Sequence, residues 1–444
     1  MELTDTIAAI ATPTGEGAIA VLRLSGGDSL GLARRIFRGR VDFTMIHPRC
    51  QYLGTLVDAD LKVDDVLMTY FKGPASYTGE DVVEFACHGG MLVTRRVLDL
   101  VLKMGARLAK PGEFTQRAFL NGKLDLTQAE AVMDLITAQT DLALRAAHEQ
   151  LAGSLGRRIT AQSESLLELL AHVEAHIDFP DEDIAPETGA ALRARLDALC
   201  AETDSLLRTA ARGRLLQEGV RTVIYGAPNV GKSSLLNLLL GYDRAIVSPL
   251  PGTTRDSIEE VVNVRGIPLR LVDTAGVRES EDLVEQAGME RTRREVDRAS
   301  LVLHVHDVSQ PRLNHGEPAD GELLLLNKVD LPPHPDWSGT NAIRVSCRSG
   351  EGIDALEAAI EEQLLGSAPA DRDWSIAINA RHEAELQQAR KNLDAAVNAL
   401  NSGLSAEFIA EELRAALGAF GEIVGGTSSE DLLGRIFSNF CIGK

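Results

Sequence analysis

The stretch "TVIYGAPNVGKSSLLNLLL", Thr222 to Leu240, decides how the middle of the chain folds. It sets a short apolar strand (Val223–Tyr225) before Gly226-Ala227-Pro228-Asn229-Val230-Gly231-Lys232-Ser233 and follows it with an amphipathic helix. That is GxxxxGKS in a strand–loop–helix setting. The glycines let backbone N–H groups close around phosphates, at a helix N-terminus whose dipole favours negative charge. Asn229, Val230, Gly231, Lys232, Ser233 and Ser234 form the phosphate cradle. In it Lys232 reaches the β and γ phosphates and Ser233 a Mg²⁺ ion.

Three further motifs follow in order, each after an apolar run. "LRLVDTAG" ends on Asp273, Thr274, Ala275 and Gly276, where a carboxylate can hold the metal through water and a glycine N–H can sense the γ phosphate. "LLLLNKVD" ends on Asn327, Lys328, Val329 and Asp330, whose carboxylate can accept both N–H groups of guanine. "IRVSCRSGEG" places Ser346, Cys347 and Arg348 where a loop backbone meets the base, so Cys347 reads as a small loop residue. Between the first two motifs, Ser248, Pro249, Leu250, Pro251, Gly252, Thr253 and Thr254 form a loop that orders around the γ phosphate, with Thr254 closing on Mg²⁺. The four motifs together specify a guanine-nucleotide site. Val277 stands where Ras-type switches carry a water-positioning glutamine. The polar candidates for that task are Arg278, Glu279, Glu281, Asp282 and Glu285, and spacing does not choose among them.

The 444 residues exceed one ordinary core, so two or three domains are expected. With 44% apolar and 25% charged residues the composition is globular. No stretch has the roughly 20 apolar residues of a membrane helix, and the N-terminus lacks a signal layout. Five scattered cysteines without a CxxC pair exclude a disulfide framework and suit a reducing cytoplasm. A formal charge of −20 opposes a broad grip on nucleic acid, so any RNA contact needs a local patch or a partner.

From about Thr6 to Glu113 the pattern is α+β. "AIAVLRLSG" (Ala18–Gly26) and "DVLMTYFKG" (Asp65–Gly73) read as strands, and "GGMLVTRRVLDLVLKMGA" (Gly89–Ala106) as a helix. Helical texture follows from Thr127, which stands at capping-box spacing from Glu130 and leads a face of Val132, Met133, Ile136 and Thr140. Near Arg221 strands alternate with helices until about Leu365, and two helical runs (Ala380–Asn401, Ala406–Phe420) close the chain. The simplest arrangement is a helical domain with an α/β domain inserted into it.

These motifs, with "YTGEDVVEFACHGG", "KPGEFTQRAFLNGKLDLTQAEAV", "PGTTRD", "DTAGVRES" and the terminal "FCIGK", resemble the tRNA modification GTPase MnmE (TrmE) family over the whole chain. The resemblance implies a multidomain α+β and α/β protein. Residues 1–117 would be a tetrahydrofolate-binding and dimerisation domain, 118–216 and 367–444 the two parts of a helical domain, and 217–366 a Ras-like G domain. It further implies a K⁺ ion held by Asn229, Ser248, Leu250 and Thr253, Mg²⁺ held by Ser233 and Thr254, and Glu285 as the residue that orients water. A folate, as 5-formyl- or methylene-tetrahydrofolate, would meet Arg23, Glu80, Lys123 and Lys444. The implied task is K⁺-dependent GTP hydrolysis in a cytoplasmic homodimer. With the partner MnmG (GidA), which brings FAD, a heterotetramer or larger assembly would add an aminomethyl or carboxymethylaminomethyl group to carbon 5 of the wobble uridine of certain tRNAs.

The end "FCIGK" fits a prenyl anchor poorly, because Lys444 is the wrong last residue. If the C-terminal helical segment folds back, Cys441 and Lys444 reach the folate pocket, and Cys441 either joins the chemistry or positions the tail. One departure stands out: Asn327 follows Asp273 by only 54 positions, without a helical repeat before its strand, so the helix usual there looks shortened or missing. The competing reading is a ribosome-assembly GTPase resembling Era, without modification activity. The N-terminal α+β region and "FCIGK" discriminate against it.

Overall fold

The computed structural model describes residues 5–178, 189–242, 259–272, 295–312, 321–366, 377–426, 430–438 and 440–444. The chain forms two compact units, one of Met1–Met133, Gly156–Glu164 and Leu417–Lys444, the other of Asp134–Leu155 and Ser165–Ala416.

The first unit is built on β1 (Ile7–Ile10), β2 (Ile19–Ser25), α1 (Ser29–Ile36), β3 (Phe37–Gly39), β4 (Gln51–Asp58), β5 (Leu61–Phe71), β6 (Val82–His88), α2 (Met91–Lys103) and β7 (Arg107–Leu108). The strands form one sheet in the order β3-β4-β5-β6-β2-β1-β7, antiparallel except for the β1–β7 pair. Alternation explains its two faces. Ala20, Leu22 and Leu24 of β2 are buried with Val66, Met68 and Phe85 beneath α1 and α2. Arg23 and its register partner Glu84 stand on the other face. There α3 (Glu113–Leu120) brings Phe114 into a small cluster with Ile7, Ala9, Ala109 and Tyr77.

The next helix, α4 (Leu126–Thr137), is capped two residues earlier than its sequence suggests. Asp125 Oδ1 accepts from the Gln128 N–H at 2.8 Å, and Gln128 Oε1 accepts from the Asp125 N–H at 3.0 Å. The carboxylate outcompetes Thr127, whose hydroxyl donates to Asp125 Oδ1 instead. Thr140 also leaves the apolar face assigned to it. It is extended and N-caps α5 (Asp141–Leu151), accepting from the Ala143 N–H at 3.2 Å.

In the second unit α5 precedes α6 (Ser154–Asp178, from Ser165 onward in this unit) and α7 (Gly189–Glu218). The α/β region then holds β8 (Val220–Tyr225), α8 (Lys232–Tyr242), β9 (Glu259–Val264), β10 (Ile267–Val272), β11 (Leu301–Asp307), β12 (Glu322–Asn327), β13 (Ile343–Arg344) and α9 (Ile353–Leu365). Its sheet runs β13-β12-β11-β8-β10-β9, parallel except for edge strand β9. The helix that follows it, α10 (Ala380–Asn401), packs along α7, with Arg390 Nε donating to Asp204 at 2.8 Å. The segments before and after the α/β region thus close on each other, as an inserted domain requires. The remaining helices are α11 (Ala406–Val424) and α12 (Glu430–Ser438).

Among the described residues no helix joins β11 to β12, and only a 3₁₀ turn at Pro335–Trp337 lies between β12 and β13. Trp337 packs against the sheet. It is 2% exposed among Val308, Leu326 and Ala342, and its indole N–H donates to the Gln310 carbonyl at 2.8 Å. No helix among the described residues is long and apolar enough to cross a membrane.

Candidate functional site

The phosphate-loop signature lies at the C-terminal ends of the parallel strands of the second unit, where open α/β sheets bind ligands. β8 ends at Tyr225 and the chain turns at Gly226, φ 152°. A Cβ there would come within 2.2 Å of the Val305 carbonyl oxygen, so only glycine lets the turn pass β11 this closely. Lys232 opens α8, and its ammonium donates to the Gly226 and Ala227 carbonyls at 2.8 Å each. Burial pushes its pKa down.

The base-reading motif is tied directly to this loop. Asn327 Nδ2 donates to the Val230 carbonyl at 2.8 Å. Lys328, in the left-handed region at φ 66°, bridges the Asn229 carbonyl at 2.9 Å and Asp307 Oδ2 at 2.6 Å. Asp307, at the end of β11, went unnoticed in the sequence. Burial alone would raise its pKa, but Lys328 and the Ser309 N–H and hydroxyl hold it below the usual carboxylate range. Asp330 Oδ1 accepts from the Ser346 hydroxyl at 2.8 Å, and the Cys347 N–H donates to Asn327 Oδ1 at 3.1 Å. Burial pushes the Cys347 thiol up, away from reactivity. Arg348 is exposed beside them.

The donors suit the groups assigned to them. Ser233, exposed in the first turn of α8, offers the hard hydroxyl oxygen that Mg²⁺ prefers. Asn229 is exposed at φ 62°, and its side chain makes no bond among the described residues, so its oxygen is free for a cation. Ser248, Pro249, Leu250, Pro251, Gly252, Thr253, Thr254, Asp273, Thr274, Ala275, Gly276 and Glu285 lie outside the described residues.

A second constellation occupies the first unit, on the sheet face opposite α1 and α2. Arg23 Nε donates to Glu84 at 2.8 Å, and its guanidinium carbon lies 5.4 Å from the Tyr77 ring centre and 5.7 Å from that of Phe114. Glu80 accepts from the Ser25 hydroxyl at 2.6 Å and from Arg117 Nη1 at 3.1 Å. Arg117 is fully buried and also donates to Asp5 Oδ1 at 2.7 Å and Glu113 Oε1 at 3.2 Å. Lys123 is exposed and donates to the Pro74 carbonyl at 3.1 Å, on the loop that leads to Glu80.

The tail comes to this face. Phe440 is 7% exposed, with Phe437 at a ring separation of 5.3 Å. The Gly112 N–H donates to the Cys441 carbonyl at 3.4 Å, and the Phe114 N–H donates to the Lys444 backbone oxygen at 3.2 Å. Gly112 is the N-cap of α3 and has no side chain to cap with, so the tail supplies oxygen where the helix end needs acceptors. Lys444 is partly buried; burial pushes its ammonium pKa down, and the nearby charge of Arg23 adds to that. The Cys441 residue is partly exposed. Of the residues assigned to this pocket, Lys444 lies near enough to Arg23 to feel its charge. Glu80 is joined to the same strand through Ser25, and Lys123 serves the Glu80 loop. Sequence reading missed Ser25, Tyr77, Glu84, Phe114 and Arg117. The i,i+4 spacing of Glu113 and Arg117 was the one available signal, and it is too common to point to a site.

The same unit has a groove of about 780 Å³ between the β1–β2 loop and α2, lined by Thr12, Ile19, Met91, Arg95, Leu98 and Leu102 among others. Ile19 and Met91 are 64% and 65% exposed.

Comparison with known proteins gives a consistent result. A family model described as the MnmE helical domain matches residues 126–441, and one described as the GTP-binding protein TrmE N-terminus matches residues 6–123. A protein named tRNA modification GTPase MnmE from Akkermansia muciniphila is 52% identical, covering 99% of each chain. One of the same name from Natranaerobius thermophilus is 44% identical, again over 99% of each. Among solved structures, the G domain of the T. maritima FeoB iron transporter aligns at 25% identity over 32% of this chain and 98% of its own, with a TM-score of 0.25.

Proposed function

Since the chain belongs to the MnmE family of tRNA modification GTPases, and is a GTP hydrolase of that kind, we propose that it is the K⁺-dependent member of a wobble-uridine-modifying pair. Its partner is MnmG, its one-carbon donor is a tetrahydrofolate, and its setting is a cytoplasmic homodimer. The observation that carries this reading is the docked tail: Cys441 and Lys444 bond to the first turn of α3 beside Arg23. An Era-like switch without modification chemistry has no use for that arrangement.

The residues divide the work as follows. Lys232 and the N–H groups of Asn229–Ser234 bind and orient the phosphates, and Ser233 with Thr254 would hold Mg²⁺. Asn229, with Ser248, Leu250 and Thr253, would hold K⁺, which would supply positive charge to offset the charge that develops on the phosphates. Asp273, Thr274, Ala275 and Gly276 sense the γ phosphate, and Pro249, Pro251 and Gly252 shape the loop that closes over it. Glu285 orients the attacking water. Asn327, Lys328, Asp330, Ser346, Cys347 and Arg348 form the guanine end. In the first unit Arg23, Glu80, Lys123 and Lys444 bind the folate, with Cys441 in reach of the same chemistry. The groove with exposed Ile19 and Met91 supports the pairing of two copies.

The test is reconstitution with MnmG, tRNA, GTP, a tetrahydrofolate donor and ammonium or glycine, followed by nucleoside analysis. Carbon-5-modified uridine that depends on the folate is expected. GTP turnover without that product would overturn the reading. Replacing K⁺ by Na⁺ should lower turnover, and equal rates in the two salts would remove K⁺ from the proposal.

A further inference from the structure

A chain of net charge −20 that acts on tRNA must present positive charge locally, because a phosphate backbone binds through released counterions. The charge is unevenly spread. Residues 1–120 contain 14 basic and 14 acidic side chains, so the whole deficit lies in the rest of the chain. Within that neutral region "RRIFRGR", Arg34 to Arg40, places four arginines in seven positions with no acid among them.

The fold turns this run into a rigid surface. Ile36 ends α1 and Phe37 begins β3, and both are buried in the core, at 1% and 2% exposure. Arg34, Arg35, Arg38 and Arg40 are all exposed around that anchor. β3 is the edge of the seven-stranded sheet, so nothing in the sheet lies beyond it. The nearby acids take little of the charge. Asp28 meets Arg35 at 3.3 Å with both groups more than half exposed, and Asp42, which accepts from the Thr44 N–H and hydroxyl, is within range of the Arg34 charge. Arg38 rests one nitrogen on the Arg34 and Phe37 carbonyls, which orients its guanidinium. Arg34 and Arg40 make no side-chain hydrogen bond or ion pair among the described residues. Planar guanidinium groups on a fixed frame match phosphate oxygens better than mobile ammonium groups do.

We infer that the α1–β3 arginine edge, Arg34, Arg35, Arg38 and Arg40, is a contact surface for the phosphate backbone of the substrate tRNA. The inference rests on the reading that this chain works on tRNA.

The test is binding of the full chain to bulk tRNA between about 50 and about 200 mM salt. Arg34→Gln/Arg40→Gln removes two guanidinium groups without touching the α1 carbonyl contacts. Each phosphate contact contributes a slope of roughly 0.7–0.9 in log K against log salt, so the double variant should flatten the slope by about 1.5 and weaken binding at least tenfold near 0.1 M. Arg145→Gln/Arg208→Gln, an equal loss of charge at exposed helix positions, should bind as the unaltered chain does. GTP turnover and melting should match in all three. Equal binding by the two double variants overturns this surface alone, including the case in which the arginines merely keep an edge strand from aggregating. Failure of the unaltered chain to bind tRNA overturns the tRNA reading with it. Loss of binding to phosphatidylglycerol vesicles with tRNA binding intact assigns the edge to a membrane and also overturns it.

Discussion

Replacing Gly443 with alanine should release the tail while leaving the rest of the protein intact. Gly443 sits at φ 100°, where L residues other than glycine cost about 1–2 kcal/mol. An added Cβ would lie 2.4 Å from the Ile10 carbonyl oxygen and 3.0 Å from the Ala11 Cα, both main-chain atoms that cannot rotate away. Such overpacking adds about 1–3 kcal/mol. The combined cost, about 2–5 kcal/mol, shifts the docking equilibrium by roughly thirtyfold to a few thousandfold. Against it stand two hydrogen bonds of about 1 kcal/mol each and the burial of Phe440, about 2 kcal/mol, less the entropy of ordering the tail. The docked state should therefore be lost. Hydrogen exchange reads it directly, because the Gly112 and Phe114 amides donate to tail oxygens and should lose protection. Gly434→Ala on α12 is the matched control, since its Cβ meets nothing within 4 Å. GTP turnover should be unchanged in both. Equal protection of the Phe114 amide in the two variants would refute the reasoning.

Three more outcomes follow from the two sites. Asp330→Asn should move base preference from guanine toward xanthine, because the amide offers a donor where guanine also has donors; unaltered preference in nucleotide competition removes Asp330 from base reading. Asp307→Asn leaves Lys328 without its charged partner, and charge-assisted bonds of this kind contribute about 1.5–3 kcal/mol, so GTP should bind roughly tenfold or more weakly with guanine preference kept. Identical dissociation constants would show that Lys328 needs no such anchor. Acid should loosen the first unit. For Glu113 burial works upward, yet Arg107, the Lys110 N–H and Arg117 hold the pKa below its ordinary value, and Arg107 and Arg117 do the same for Asp5. Lowered folded values mean that their stabilisation is present above about pH 4.5 and is lost as pH falls through those values. Glu113→Gln should therefore melt lower at neutral pH, with the gap closing below about pH 4; a gap constant in pH would exclude the ion pairs as its source.

The sequence was most legible where residue type itself carries the geometry. Glycine and lysine spacing located the phosphate loop, and apolar runs located β12 and β13, which lead to Asp330 and Ser346. The shortened connection before Asn327 was an expectation from chain length; residues 273–294 and 313–320 of that stretch lie outside the described residues, and residues 295–298 are helical. The burial of Trp337 was not readable. It rests on packing and one indole bond, which leave no periodic trace. The cap of α4 misled for a related reason: both Asp125/Gln128 and Thr127/Glu130 match the capping pattern, and the stronger acceptor decided between them.

The second site was legible as a motif but not as a mechanism. "FCIGK" drew attention to Cys441 and Lys444 as side chains, whereas the contacts that hold the tail are main-chain oxygens of those residues. Backbone bonds have no residue signature, so only the shape of α3 explains why they form. Its N-cap, Gly112, cannot satisfy the first-turn N–H groups, and the tail brings acceptors to that end. Glycine serves at both contacts for opposite reasons: Gly112 leaves a helix end uncapped, and Gly443 lets the chain approach it. The side chains are then fixed as a consequence, with Lys444 partly buried within range of Arg23. A substitution of the Lys444 side chain should therefore alter ligand affinity while the tail stays docked, and a substitution at Gly443 should do the reverse in order, undocking first and losing affinity as a result.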